Sequence, residues 1–237
     1  MSENRKKLLW KIQSLWERYY VSSENDFFSV EENYTSSHSQ HYSRFTRVNS
    51  FSYELTVLPV FIDSYGEYLG LKDLQLMRKN NKYWYLFDNH NEIIYPFIEI
   101  NEALGEPLTV VHIDAHRDDA KFKGQKAETI TLSESGDYIK KTKISDFFDA
   151  LSGTKILKEV ISITDSSAFN SFSSPITPYI VSLDIDIFGE EGAFIDLYTK
   201  VKVIAEACSG ASAICIATSP GFINQKFAQE IIHMFSK

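Results

Sequence analysis

The segment V-V-H-I-D-A-H-R-D-D at 110–119 carries an apolar run straight into histidines and acids. Two further apolar runs end the same way. Tyr83–Phe87 leads into Asp88-Asn89-His90, and Tyr179–Leu183 into Asp184-Ile185-Asp186. Residues two apart on a strand share a face, so Asp114 pairs with His116 and Asp184 with Asp186. Continued alternation brings Asp118 to the same side. A lone D-x-D at a strand end is most often a turn or a cap. Three such endings on neighbouring strands instead bring imidazoles and up to six carboxylates to one edge. So many carboxylates cannot ionise side by side without a counter-charge. Two divalent cations supply it, and a carboxylate/imidazole set without cysteine suits Mn(II) or a similar ion better than a thiolate zinc site. The expected ligands are His90, Asp114, His116, Asp118, Asp184 and Asp186. His112 shares the parity of Asp114 but lies deeper in its strand, so a core role behind the ligands is expected. Asp119 is expected to be solvated or to sit behind them.

Those endings need a parallel sheet to bring them together, and the rest of the chain is consistent with one. Helical spacing of Leu8, Leu9, Ile12, Leu15, Trp16 and Tyr19 predicts an amphipathic helix over 4–20, docking on the core. Residues 22–50 are polar and aperiodic, which predicts an irregular surface segment; its His38 and His41 are expected to be solvated. Strands are expected within 52–63 (broken near Pro59), 83–88, 107–114, 178–186 and 211–220. Helices are expected over 91–104, 146–159 (capped by Ser145), 195–207 and 223–236, with 119–143 a loop. Alternating strands and helices imply an α/β fold, a three-layer αβα arrangement with a mainly parallel central sheet. No linker or repeat divides residues 1–237, so one domain with an N-terminal extension over 1–50 is expected. Sites in such folds gather at the carboxyl ends of the strands.

Composition narrows the function classes. The chain has 237 residues, 43% of them hydrophobic, and a formal net charge of −8. A pI near 5.3 argues against nucleic acid or anionic lipid as partner. No run approaches the ~18 apolar residues of a membrane span, and the N-terminus lacks the apolar core of a secretory signal. Cys208 and Cys215 are too few for a disulfide framework and predict buried free thiols. A cytoplasmic protein is expected; oligomeric state is not legible.

The site motifs resemble those of the ureohydrolase superfamily, which includes arginases, agmatinases and histone deacetylases. D-A-H-R-D at 114–118 is similar to the ureohydrolase D-A-H-x-D, S-L-D-I-D at 182–186 to S-x-D-x-D, and Asp88-Asn89-His90 falls where the family has its first histidine ligand. The resemblance implies an arginase/deacetylase-like fold and two Mn(II) ions. His90, Asp114, Asp118 and Asp184 would hold one, and Asp114, His116, Asp184 and Asp186 the other. Asp114 and Asp184 would bridge. It implies hydrolysis of a guanidinium carbon, releasing urea and an amine. A guanidinium is a poor electrophile, and two metals about 3.5–4 Å apart can lower a shared water's pKa. Asp118 would also serve as the proton-transferring catalytic group.

Departures from the arginase pattern bear on substrate. After the motif come Asp119-Ala120-Lys121-Phe122, without the Asn and Ser that grip a free amino acid. Thr131 and Leu132 lie where the family has a proton-shuttling histidine. T-S-P-G-F-I-N-Q at 218–225 resembles the stretch before the guanidinium-binding glutamate, but Asn224 and Gln225 stand there, and Glu230 is a turn too far. F-D-N-H-N-E-I-I-Y-P-F at 87–97 resembles the peptide-arginase branch, which converts arginine residues of ribosomally made precursor peptides to ornithine. That resemblance implies an arginine-containing peptide as substrate, with Glu92 a second catalytic candidate, able to pair with the guanidinium, and Asn91, Asn224 and Gln225 as substrate-binding candidates. The alternatives are hydrolysis of a small guanidine or acylated amine, and an idle metal-binding recognition protein.

Overall fold

The computed structural model describes residues 3–21, 45–62 and 66–236. It is an α/β fold built on a seven-stranded sheet. In chain order the strands are β1 (Phe45–Val48), β4 (Leu74–Lys79), β5 (Lys82–Phe87), β6 (Leu108–Ile113), β7 (Leu157–Ile163), β8 (Ile180–Asp184) and β9 (Ala213–Ala217). Their spatial order is β1-β4-β5-β9-β8-β6-β7, and every pair is parallel except β4/β5. The β4/β5 hairpin turns at Asn80 and Asn81, both with positive φ, as a two-residue primed turn requires. Strands β2 (Leu55–Ile62) and β3 (Glu67–Leu71) form a separate antiparallel ribbon.

Strand parity divides the core into two layers. Trp84, Leu86, Val111, Ile113, Val181, Leu183, Ile214 and Ile216 face a cluster completed by α1 (Glu3–Tyr19), α6 (Leu197–Gly210) and α7 (Gln225–Phe235). Tyr85, Phe87, Val110, Ile180, Ala213, Cys215 and Ala217 face the opposite layer, with α2 (Ile94–Leu104), α3 (Leu132–Lys141) and α4 (Phe147–Leu151). A short helix, α5 (Ser166–Ser171), follows β7. Each fully buried Val, Leu or Ile contributes about 1.5–3 kcal/mol of burial free energy, so a near-continuous apolar run is what a doubly covered strand requires. The expected N-terminal helix docks on the core through Leu9, Ile12 and Trp16.

Several expected elements are corrected. Helix 146–159 ends at Leu151, because Gly153 takes positive φ; the chain then enters β7, whose Lys158 and Glu159 face outward on an edge strand. Asp146, not Ser145, precedes the helix. Residues 132–141 are helical rather than loop, started by a Thr131/Glu134 capping box. Phe45–Val48, expected to be irregular, pairs with β4. His38 and His41 lie outside the described residues. No described helix is long and apolar enough to cross a membrane.

Candidate metal centre

The carboxyl ends of β5, β6, β8 and β9 converge on the α2/α3/α4 side of the sheet. In register, His112 sits beside Ser182, and Asp184 beside Ala217, which in turn neighbours Phe87. β5 and β8 are separated by β9, whose residues on this face are small (Ala213, Cys215, Ala217). His90, on a single 3-10 turn after β5, reaches over the end of β9 to the acids of β6 and β8.

There it meets three carboxylates at once. His90 Nδ1 lies 2.8 Å from Asp114 Oδ2, 3.1 Å from Asp118 Oδ2 and 3.3 Å from Asp184 Oδ2. One ring nitrogen can donate at most one proton. His116 Nδ1 lies 3.3 Å from Asp114 Oδ1 and 3.0 Å from Asp186 Oδ2. Thus the two oxygens of Asp114 face two different imidazoles. Backbone amides fix the acids: the His116 amide donates to Asp114 Oδ1 at 2.7 Å, and the Asp186 amide to Asp184 Oδ1 at 2.9 Å. The Ser219 hydroxyl holds Asp184 Oδ2. Asp118 and Ser219 adopt positive φ, a strain of about 1–3 kcal/mol each that the surrounding structure imposes.

Both histidines present Nδ1 inward and anchor Nε2 outward. His90 Nε2 donates to Ser182 Oγ at 2.8 Å, and Ser182 is positioned to donate on to His112 Nδ1 at 3.4 Å. His112 Nε2 donates to the His116 carbonyl at 3.3 Å. Each link assigns the next proton, so a neutral His90 would keep its Nδ1 lone pair facing the cluster. Burial lowers the His112 pKa to about 3, so it stays neutral, next to His90 and Asp114. Ser182→Ala leaves the His90 Nε2 proton without its acceptor. A 10–100-fold loss of divalent-cation affinity in a calorimetric titration is the expected result.

The donor set fits a cation. Ligand atoms of His90, His112 and Asp114 lie within 4.8 Å of one another, as do those of Asp114, His116 and Asp186. Asp118 Oδ2 and both Asp186 oxygens are buried and accept no hydrogen bond, an arrangement costly without a counter-charge. Protons partly fill that role. Burial and the neighbouring Asp184 push the Asp186 carboxyl up to about 8. Burial raises Asp118 to about 6 and Asp184 above the usual carboxylate range. The carboxylates of Asp114 and Asp186 facing its Nδ1 raise His116 to about 11. Burial disfavours the His90 imidazolium, but Asp114, Asp118 and Asp184 outweigh it and raise its pKa. Burial also disfavours ionised Asp114, yet bonding to His116 and His90 overrides this and lowers its pKa. Buried His and Asp groups here can bind a metal ion.

All six expected ligands therefore meet. The other expected site residues divide. Asp88 is diverted from the cluster, accepting from the Leu71 amide and the Thr218 hydroxyl. Asp119 pairs with Arg117 at the surface. Glu92, expected to act on substrate, turns back to accept from the Asp88 and Asn89 amides at 3.1 Å each, so it closes the turn that carries His90. Asn91 lines a cavity of about 730 Å³ above the cluster, although its amide nitrogen holds the Ile139 and Thr142 carbonyls. Asn224 caps α7 by accepting from the Phe227 amide, and Gln225 donates to the Thr218 carbonyl. Both border a separate cavity that shares only Phe222 with the first, so neither reaches the cluster. Thr131 starts α3, and Glu230 pairs with Arg5.

Sequence reading missed Ser182, Ser219 and Glu191, whose carboxylate contacts His116 Nε2. Ser182 had a signal, its parity with Asp184 on β8; the other two arrive by loop geometry. Fold and site together define an α/β protein whose sheet edge carries a buried carboxylate–imidazole cluster able to bind metal. No family model, curated protein or solved structure matches the chain.

Proposed function

We propose that this chain is a ureohydrolase-like, Mn(II)-dependent hydrolase that removes the guanidinium carbon of arginine residues in a peptide, yielding ornithine and urea. The observation that carries this reading is the convergence of His90, Asp114, Asp118 and Asp184 beside His116 and Asp186, with buried carboxylate oxygens left unbonded. Asp114 faces both imidazoles, so it would help to hold a cation on the His90 side and on the His116 side. When bound, the cations would supply the Lewis acidity that makes water a competent nucleophile at neutral pH.

The chain's own residues do the rest. The cavity opens onto the acids at its floor and is roomy enough to admit an arginine side chain to where the cations would be held. Asp118, beside His90 at the cavity floor, would take a proton from the attacking water and return it to the departing amine. Phe222 walls one side beside His116. The motif at 114–119 is followed by no free-amino-acid grip, which favours a peptide over free arginine. Buried, unpaired Cys208 and Cys215 suit a reducing, cytoplasmic setting.

Glu92 and Glu230 are committed to the His90 turn and to Arg5, so neither serves as a guanidinium-binding glutamate. That favours the second reading, a metal-binding protein with an idle site. Mass spectrometry separates the two. Incubating the Mn(II)-loaded protein with a panel of arginine-containing peptides is expected to give the arginine-to-ornithine mass loss with urea in step. Metal uptake without mass loss on any peptide, and without urea from free arginine or agmatine, leaves the idle reading.

A further inference from the structure

Only one acidic side chain in the described structure reaches the cluster from outside it, and no sequence motif marks it. Glu191 stands on the short 3-10 turn Glu191–Phe194, past the turn Ile185–Phe188 that carries Asp186. Its carboxylate contacts Nε2 of His116, on the opposite edge of the ring from Asp114 and Asp186.

That placement is built rather than incidental. Lys200, buried on α6, donates to the Ile187 and Gly192 carbonyls and clamps the two turns together. Gly192 packs against Ile187 so closely that a Cβ would stand 1.8 Å from the Ile187 carbonyl oxygen. The Gly189 amide closes back on Asp186. Loop and ligand are therefore one unit: the segment that delivers Asp186 also delivers Glu191. On the ring's other side Phe222 packs edge-on at 5.3 Å.

The two imidazoles thus differ in their outer partner. His90 is fully buried and anchored by a neutral hydroxyl, whereas the side chain of His116 is 37% exposed and anchored by a carboxylate. A carboxylate accepting the outer N–H fixes the tautomer and strengthens the inner nitrogen as a donor.

We propose that Glu191 is the positioning residue of the second cation position: it holds His116 with Nε2 protonated and Nδ1 directed at Asp114 and Asp186, making this solvent-facing position a competent divalent-cation site. The inference rests on the proposed metal centre but not on guanidinium hydrolysis.

Glu191 is exposed enough for substitution without loss of fold, checked by circular dichroism. Mn(II) titration of metal-free wild-type protein is expected to show two classes of site. Glu191→Ala should weaken one class about 10–100-fold and leave the other unchanged, with Glu191→Gln intermediate. Nitrogen-15 spectra of the metal-free protein should show the His116 Nε2–H held against solvent exchange by its contact with Glu191, a protection lost in Glu191→Ala; a merely structural glutamate would not move this. Asp186→Asn is the control that removes the same class. If Asp186→Asn loses a class and Glu191→Ala does not, the inference is overturned and the metal centre stands. If wild-type protein takes up no divalent cation, both fall. Metal binding lost in Glu191→Ala, with no peptide turned over by wild type, supports the inference and removes only the hydrolase reading.

Discussion

Asp114→Asn is expected to abolish divalent-cation binding at the cluster and to reduce the proposed peptide-arginine hydrolysis by on the order of 10³-fold or more, the scale of losing a preorganised electrostatic group. The reason is the geometry of one carboxylate. Its Oδ2 lies 2.8 Å from His90 Nδ1, and its Oδ1 lies 3.3 Å from His116 Nδ1, so both positions draw on the same charge. Asparagine preserves the volume and can still accept the His116 amide, which now holds Oδ1 at 2.7 Å. It then turns an N–H₂ toward His90, where a lone pair is needed. Asp118→Asn alters only the His90 side and should leave the His116 position able to bind. Elemental analysis after dialysis checks this directly. Two equivalents of Mn retained by Asp114→Asn would refute the shared-bridge arrangement, whatever the activity showed.

Removing the metal should destabilise the protein, and more so at alkaline pH. In the metal-free fold Asp186 is pushed up to about 8 and Asp118 to about 6 from an ordinary 3.8, while His116 is raised to about 11 from 6.5. All three hold protons more tightly folded than unfolded. Their stabilisation is complete below the unfolded pKa values and is lost as pH rises: toward 6 for Asp118, toward 8 for Asp186, toward 11 for His116. Asp114, depressed in the fold, acts in the opposite sense but only in strong acid. Cations displace those protons, so binding should release them and strengthen as pH rises. At Mn(II) about a thousand times its dissociation constant, linkage gives about 4 kcal/mol. With about 2–4 °C per kcal/mol for a chain of this size, the melting temperature should rise by roughly 8–16 °C. The gain over chelator-treated protein should be larger at pH 8 than at pH 5.5, and a weakly buffered titration should acidify. An equal gain at both pH values would contradict the protonated cluster.

The layers of the sheet and the candidate ligands were legible because both show in short-range pattern. Largely apolar, β-branched runs such as 108–113 and 180–183 fit strands covered on both faces, and parity puts His112, Asp114, Ser182 and Asp184 on one side. Illegible were the places where a local signal was weak or had two uses. The segment 146–163 combines helix-compatible residues with an edge strand whose outward side is charged, and only Gly153 marks the break. The Thr131/Glu134 capping box was present but sat in a polar stretch that resembles loop. Glu92 shows the same ambiguity at the site: a glutamate three residues after Asn89 suits a helix start as well as a substrate clamp, and the backbone amides took it.

By itself, then, the sequence determined the strand faces, through a period of two, and the residue types with the chemistry to hold a cation; turns beyond the strand ends place His90, His116, Asp118 and Asp186. Tertiary structure alone decided which side chains were already engaged elsewhere. Asp88 was drawn to Leu71 and Thr218, Asn224 to the start of α7, while Glu191 was carried to His116 by turns that Lys200 clamps. Those contacts join positions far apart in the chain, or hang on backbone turns, and no local pattern encodes which buried donor reaches a carboxylate first.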